Sequence, residues 1–419
     1  MKATGSLMRD RNFLLLWSGQ FISDFGSQLS IFALPVVAIL VLHATALQVA
    51  TLQSVEFATI SVVAIVAGAL ADRHRRRYLM MVTNAVRLVT MLTIPIAYGL
   101  GKLTIAQLFI CGIIASAASV MFDVAYQALV PSLVGSDRLA DGNAKLSMSG
   151  SVAEAVGQST GGALVQMLGA PFAMLADALT FVVSLTTLWR MRHDEPKHAP
   201  DESPEGRQEH VLRGFAHETL AGFREVWEKP ALRMVAMMTA TNYLGGSIVT
   251  AVFPLLVYRQ LHLPPEALGI VMGVANVGMV GAFSAKPLQK LFGERGTMGS
   301  AVLISGIGKL LYVAANLSPL GAVLFGRLLI TFAGPMYDVT QSTYRVAFIP
   351  EPLMGRVAAA FRALTWATLP VGSLLGGVFA TTYGVPHTIV IGSTISFCAI
   401  LWLGTRVQAR HENRLAGAA

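Results

Sequence analysis

Charge is what this 419-residue sequence has least of. Only 13% of its residues are Asp, Glu, Lys or Arg, about half the share carried by a soluble domain. Hydrophobic residues make up 54%, and they come in runs too long for a soluble core. Leu47 to Ala71 holds a single charged side chain, Glu56. A run of about twenty apolar residues is what an α-helix needs to cross some 30 Å of hydrocarbon. Polarity does not alternate along these runs, which excludes barrel strands and leaves helices as the spanning element. Cysteine is equally scarce: Cys111 and Cys398 both fall within apolar runs, so no disulfide framework is indicated. No Gly-x-x-x-x-Gly-Lys phosphate loop is present, so ATP hydrolysis is not expected. The nine histidines show no metal-ligand spacing, and no metal, cofactor or enzyme activity is expected. The first apolar stretch is too long for a signal-peptide core and reads as the first span.

The net charge of +8 is informative through its placement. Spans are expected near 12–42, 47–71, 78–100, 104–132, 139–168, 171–191, 231–260, 264–292, 297–316, 318–346, 352–382 and 386–408. With the amino terminus in the cytoplasm, one side receives Arg9, Arg11, Arg73, Arg75, Arg76, Arg77, Arg138, Lys145, the long central loop, Lys286, Lys290, Arg295 and the basic tail. The other side receives little beyond Lys102 and Arg259. The positive-inside rule then places both termini in the cytoplasm of a multi-pass inner-membrane protein. The basic excess is a topology signal and excludes a nucleic-acid partner.

The longest hydrophilic stretch, Arg192 to Lys229, opens with a Pro- and charge-rich linker. From Leu212, apolar residues recur at roughly helical spacing through Phe215, Leu220, Phe223 and Val226 or Trp227. That pattern predicts an amphipathic helix lying along the inner membrane surface. The sequence therefore divides into a six-helix bundle over 1–191, a linker over 192–230, and a second bundle with a basic tail over 231–419. The halves are related. Phe122-Asp123-Val124 matches Tyr337-Asp338-Val339, and Gly157, Gly161 and Gly162 match Gly372, Gly376 and Gly377, all at an offset of 215 residues. The expected fold is all-α: twelve transmembrane helices in two pseudo-symmetric bundles, with alternating access about a central site.

Between spans two and three stands Gly68-Ala69-Leu70-Ala71-Asp72-Arg73-His74-Arg75-Arg76-Arg77. A glycine, an aspartate four residues on and then a basic cluster resembles the loop signature of the major facilitator superfamily. Gly68 would let two helices approach closely. Asp72 would accept hydrogen bonds from arginines and from a helix amino terminus, and Arg73, Arg76 and Arg77 would hold the loop against anionic lipid. The corresponding loop of the second half, Gly281 to Arg295, lacks the aspartate. Arg11 to Gln20, Leu129-Val130-Pro131, Gly142-Asn143-Ala144 and the Gly161-Gly162 pair are similar to the branch containing macrolide-efflux proteins and the enterobactin exporter. One position departs from that branch: Gln158 stands where its span-five glycine motif commonly has a proline. The resemblance implies a proton-coupled antiporter exporting a drug, siderophore or other small amphipathic compound, and the chain is expected to work as a monomer. An uptake permease of the same fold, or a non-transporting membrane sensor or enzyme, are the alternatives, separable by vesicle flux and its pH dependence.

Ionisable groups inside a membrane are costly and mark function by default. Asp24, Glu56 and Glu154 read as proton carriers or cation-recognising carboxylates, or else as structural acids paired with a buried base. Arg87, Lys309 and Arg327 form the buried cationic set. Asp123 and Asp338, at repeat-equivalent positions, read as gating or structural groups. Asp177 is a further acid in span six. Gly157, Gly161, Gly162, Gly372, Gly376 and Gly377 read as packing and hinge positions. Aromatics such as Phe21, Tyr126, Tyr243, Tyr337 and Trp366 are candidates for lining an amphipathic cavity.

Overall fold

The computed structural model describes residues 7–71, 74–192, 220, 222–316, 318–349 and 353–404. Among the described residues, twelve helices of eleven residues or more follow one another: α1 (Arg11–Val36), α2 (Ala46–Ala71), α3 (Arg76–Gly99), α4 (Ile105–Val134), α5 (Leu139–Leu168) and α6 (Ala170–Arg190), then α7 (Pro230–Leu255), α8 (Pro265–Ala275), α9 (Gly281–Leu311), α10 (Pro319–Ala347), α11 (Met354–Tyr383) and α12 (Val385–Cys398). No strand occurs among the described residues. Ten stretches are long and apolar enough to cross a membrane. One of them, Pro265–Ala315, has 51 residues and is too long for a single crossing. It breaks inside α9 at Gly293, whose φ of 69° interrupts the helix, so it supplies two spans. Helix α5 has the length but carries Asp141, Lys145 and Glu154. Counting it gives the twelve spans expected from hydropathy.

Local chemistry sets the helix ends. Asp10 caps α1, accepting hydrogen bonds from the backbone of Asn12 at 2.9 Å and Phe13 at 3.1 Å, two donors that would otherwise have no partner. Gly169 and Gly384, 215 residues apart, both adopt φ 81°, a left-handed conformation that only glycine reaches cheaply. Each starts the sixth helix of its half, and Pro follows two residues on at Pro171 and Pro386.

A second repeat, not evident from the span-four and span-five motifs, lies at an offset of 219. Pro35 and Pro254 sit near the ends of α1 and α7, and each is followed by one π-helical turn, Val37–Val41 and Leu256–Gln260. A proline withdraws a donor from the i→i−4 ladder, and a wider turn is one way to absorb that loss. Two residues beyond each turn, His43 and His262 both take φ 50°. The matched pair marks the duplication more sharply than composition does.

The chain forms two compact units, Met1–Leu212 with Ala251–Asn276, and Arg213–Thr250 with Val277–Ala419. In the first, Phe13, Leu16, Met80, Phe122, Leu129 and Leu188 pack into one core beside the α2–α3 turn. In the second, Leu232, Met298, Tyr337, Val357 and Phe361 form the core. The expected amphipathic helix is helical over the described residues 222–228. Its ion pairs, Arg224 to Glu228 at 2.7 Å and Glu225 to Lys229 at 2.6 Å, join successive turns. This segment does not merely rest on lipid. Val226 belongs to the second core, and a side chain at Gly222 would strike the Arg356 carbonyl and Ala360 of α11. The remainder of the expected helix and linker lies outside the described residues.

Candidate functional site

The first unit gathers its intramembrane charges around one guanidinium. Arg87, on α3, is 8% exposed. Its Nη2 donates to Ser27 Oγ of α1 at 2.6 Å, and the guanidinium lies over the Phe181 ring of α6, 4.3 Å from the centroid. Asp177 of α6, 1% exposed, accepts hydrogen bonds from Ser30 and Thr180. Asp177, Asp123 and Asp24 all act on Arg87 electrostatically. One cation thus faces three carboxylates, contributed by α1, α4 and α6. Two of the three, Asp24 and Asp123, stand out from the sequence. Asp177 reads there only as a further acid in its span. The available clue is the Ser27–Ser30 spacing on α1, which puts two hydroxyls on one helical face.

Asp24 opens onto a cavity of about 420 Å³ lined by Gln20, Asp24, Tyr126, Gln127, Val130, Pro131, Leu139, Asn143, Leu146 and Ser147 of α1, α4 and α5. Gln20 Nε2 donates to Asp24 Oδ1 at 2.6 Å. A second cavity of about 350 Å³, formed by α1, α5 and Met8, is apolar, with Trp17, Phe21, Met148 and Val152 among its walls. The Trp17 and Phe21 rings stack there at 6.2 Å.

The other two acids expected to couple protons stand apart. Glu56, on α2, faces Gly112 of α4, where an added Cβ would come within 3.1 Å of Glu56 Oε1. Neither Glu56 nor Glu154 has an ion-pair or hydrogen-bond partner among the described residues. Of the two readings of these acids, pairing with a buried base finds no support at the glutamates among the described residues, while Arg87 acts electrostatically on Asp24, Asp123 and Asp177.

In the second unit Lys309, on α9, is 5% exposed, and its Nζ donates to Ser396 Oγ of α12 at 2.8 Å. Among the described residues no carboxylate pairs with it, so its partner is a hydroxyl rather than an ion. Arg327, half-buried on α10, stands beside Tyr312. Asp338 accepts a hydrogen bond from Tyr243 Oη at 3.0 Å. Asp123 and Asp338 are both exposed at the surface of their helices, as charged groups on a water-lined face would be.

At the α2–α3 turn, Arg76 Nη1 donates to the Ala128 carbonyl of α4 at 2.7 Å. Arg77 reaches the last turn of α6 through Leu188 O at 2.6 Å and Trp189 O at 2.7 Å. Carbonyls at a helix carboxyl end lack intrahelical donors and carry the negative end of the dipole. These arginines therefore clamp three helices together, a role beyond lipid attraction. Asp72 and Arg73 lie outside the described residues. Nothing among the described residues comes within 4 Å of a Cβ at Gly68, so close helix approach is not its reason in this conformation.

The span-five glycines do act as close-packing sites. A Cβ on Gly157 would lie 2.7 Å from Gln28 Cβ of α1, and one on Gly162 would lie 2.7 Å from the Gly269 Cα of α8. Gly161 is different, since its nearest neighbours would sit at an ordinary 3.5 Å. Gly372 meets Leu244 and Ser247 of α7 in the same way, and Gly376 and Gly377 are buried. Beside the α1–α2 turn, Arg259 donates to the Ala44 carbonyl at 2.7 Å and reaches Ile39 O at 3.5 Å. From sequence, Arg259 counts only as topology charge.

Two repeated sets of six helices with acids and bases inside the membrane define a transporter of the major facilitator class. Solved structures share this fold. A bacterial homologue of the iron transporter ferroportin, in an inward-facing state, matches with a TM-score of 0.71 over 96% of this chain and 100% of its own, at 18% identity. The nucleoside transporter NupG matches at 0.71 over 94% of this chain and 100% of its own, at 13% identity. The model of the transmembrane secretion effector family matches residues 3–417, and the chain belongs to that family. It is a multi-pass membrane transporter, not an enzyme. Among its relatives, the multidrug efflux pump Tap of Mycobacterium tuberculosis (strain ATCC 25618 / H37Rv) is 26% identical over 98% of this chain and 97% of its own length. Tap of Mycolicibacterium fortuitum is 25% identical over 78% and 80%.

Proposed function

We propose that this chain exports small amphipathic organic compounds, drug-like molecules among them, across the cytoplasmic membrane in exchange for protons. Export and substrate breadth are supported by the relatives named multidrug efflux pump. Proton exchange is supported by one observation above the others: three aspartates lie within electrostatic reach of one guanidinium in the first unit. Such a cluster holds more acid than base, so its charge can be balanced by taking up a proton. Asp24 and Asp123 are the proposed carriers, because they face the polar cavity and the open side of α4. Asp177 is the proposed fixed partner of Arg87. Glu56 and Glu154 remain secondary candidates. Asp72 and Arg73, with Arg76 and Arg77, form the proposed latch of the α2–α3 loop, Asp338 the gating counterpart of Asp123, and the glycines the surfaces on which helices slide. The protein would act as a monomer with both termini in the cytoplasm, and the two duplicated halves, 1–191 and 231–419, would move about the linker between them.

The test is transport in inverted vesicles under an imposed proton gradient. Asp24→Asn and Asp123→Asn should each keep the protein folded yet abolish gradient-driven accumulation, while downhill exchange survives. Wild-type accumulation in both variants would remove the aspartates from the coupling step.

A further inference from the structure

Among the described residues, the cavity beside Asp24 has a charge asymmetry and two unpartnered acceptors that point to its ligand. Its walls contain one acid and no lysine, arginine or histidine. Gln20 Oε1 is buried and has no donor. The orientation of this amide is fixed chemically, because turning it over would set a carbonyl against the Asp24 carboxylate. Gln20 therefore spends its Nε2 on Asp24 and presents a bare acceptor. Asp24 Oδ1 takes that one hydrogen bond, and among the described residues Oδ2 accepts none. Two acceptors on adjacent turns of α1, one of them anionic, are thus left wanting donors. A buried acceptor without a donor is destabilised relative to water, so a ligand that supplies donors to these two atoms gains more here than one that supplies acceptors.

The surrounding charge points the same way. Asp123 lies within electrostatic reach of Asp24, and among the described residues Arg87 is the cation that acts on both, itself held by Ser27 and the Phe181 ring and within electrostatic reach of Asp177. Of the remaining walls, Val130, Pro131, Leu139 and Leu146 are apolar, and Tyr126, Gln127, Asn143 and Ser147 are polar but uncharged. Next along α1 and α5 lies the cavity with the stacked Trp17 and Phe21 rings, which suits a flat apolar body; Lys145 on its wall is paired with Asp141.

We infer that this cavity is the recognition site for an organic ammonium group, with Asp24 Oδ2 and Gln20 Oε1 accepting its N–H donors and the aromatic pair receiving the body attached to it. This rests on the exporter reading and narrows its substrate class to amine-bearing aromatic compounds. The guanidinium of Arg87 stays with Asp177, so the ligand amine meets the acid that its own helix presents.

Three probes sharing one aromatic body decide it: dansylcadaverine, which ends in an ammonium, neutral dansyl amide, and dansyl-6-aminohexanoate, which ends in a carboxylate. Fluorescence titration of the purified wild-type protein should show dansylcadaverine binding at least about tenfold tighter than either analogue. Asp24→Asn should remove most of that preference and Gln20→Leu a smaller part, with Ala231→Ser, in the other unit's core, as a control. Equal binding of the three probes by the wild type would overturn the assignment, whatever the variants do. So would an unchanged preference in a folded Asp24→Asn protein. Energised inverted vesicles separate the two claims. If they accumulate the neutral or anionic probe and not the ammonium, the site assignment fails and the exporter reading stands. If the ammonium probe binds with the expected preference yet no probe is moved, the exporter reading fails and the site stands.

Discussion

Arg87 and Lys309 occupy the third span of their respective halves, and their surroundings differ in an instructive way. Arg87 has Ser27, Phe181 and Asp177 around it. At the α1–α7 offset of 219, Ser27 becomes Gly246. At the α6–α12 offset of 215, Phe181 becomes Ser396 and Asp177 becomes Gly392. Lys309 accordingly finds a hydroxyl at Ser396 and open space at Gly246, where an added Cβ would still lie 3.8 Å from Nζ. One duplicated position has carboxylates within electrostatic reach of its base, and the other has only a hydroxyl beside it. The same divergence runs through the next layer: Asp24 faces Asp123 in the first unit, whereas Tyr243, its counterpart, donates to Asp338 in the second. Acid chemistry has been concentrated in the first half, and the second has been neutralised around its retained frame.

The largest effect that comparison predicts is on stability. Arg87→Met strands Asp177 in a dry environment, at a cost of about 3–5 kcal/mol. Low yield and early thermal unfolding in detergent are expected, with partial recovery in the double variant Arg87→Met/Asp177→Asn. An Arg87→Met protein as stable as the wild type would show that Asp177 needs no partner.

A subtler change is Arg87→Lys. The charge is kept, but the planar group that reaches Ser27 while stacking on Phe181 is lost. A destabilisation of about 1–2 kcal/mol is expected, visible as a lowered melting temperature without loss of expression. No change would mean that charge alone holds the cluster.

Lys309→Met should be the mildest of the three. It removes one hydrogen bond to a hydroxyl, which inside a membrane protein is worth about 0.6–1.7 kcal/mol, and it breaks no ion pair. If it destabilised as much as Arg87→Met, the contrast between the halves would collapse, and an anionic partner for Lys309 would have to be sought.

The sequence is most legible where a physical demand is one-dimensional. Apolar length alone locates the spans, and the constant offset at Asp123 and Asp338 exposes the duplication. The second offset is written in the sequence as a Pro-x7-His spacing at Pro35/His43 and Pro254/His262, but the π-helical turn that each spacing encloses leaves no periodic signature. Asp24 and Arg87 are found because a charge in an apolar run is conspicuous. Their partnership is not legible, because Asp177 and Ser27 meet Arg87 across helices far apart in the chain. Gly68 shows the converse error: the motif suggests a packing role that the surrounding space does not require. Arg259 is hidden for a further reason, since its partners are backbone atoms that no residue pattern encodes.

That last feature bears on how the protein can vary. The contact from Arg259 to the carbonyls of Ile39 and Ala44 joins one side chain to two main-chain oxygens. Any residue at positions 39 and 44 still offers a carbonyl, so the contact can be broken by substitution from one end only. Pairwise covariation between relatives would give no signal for it, because neither acceptor position is forced to change when the other partner does. A saturation scan should instead find a lone intolerant position at Arg259 facing two permissive ones, limited there only by the size of the side chain that must pack.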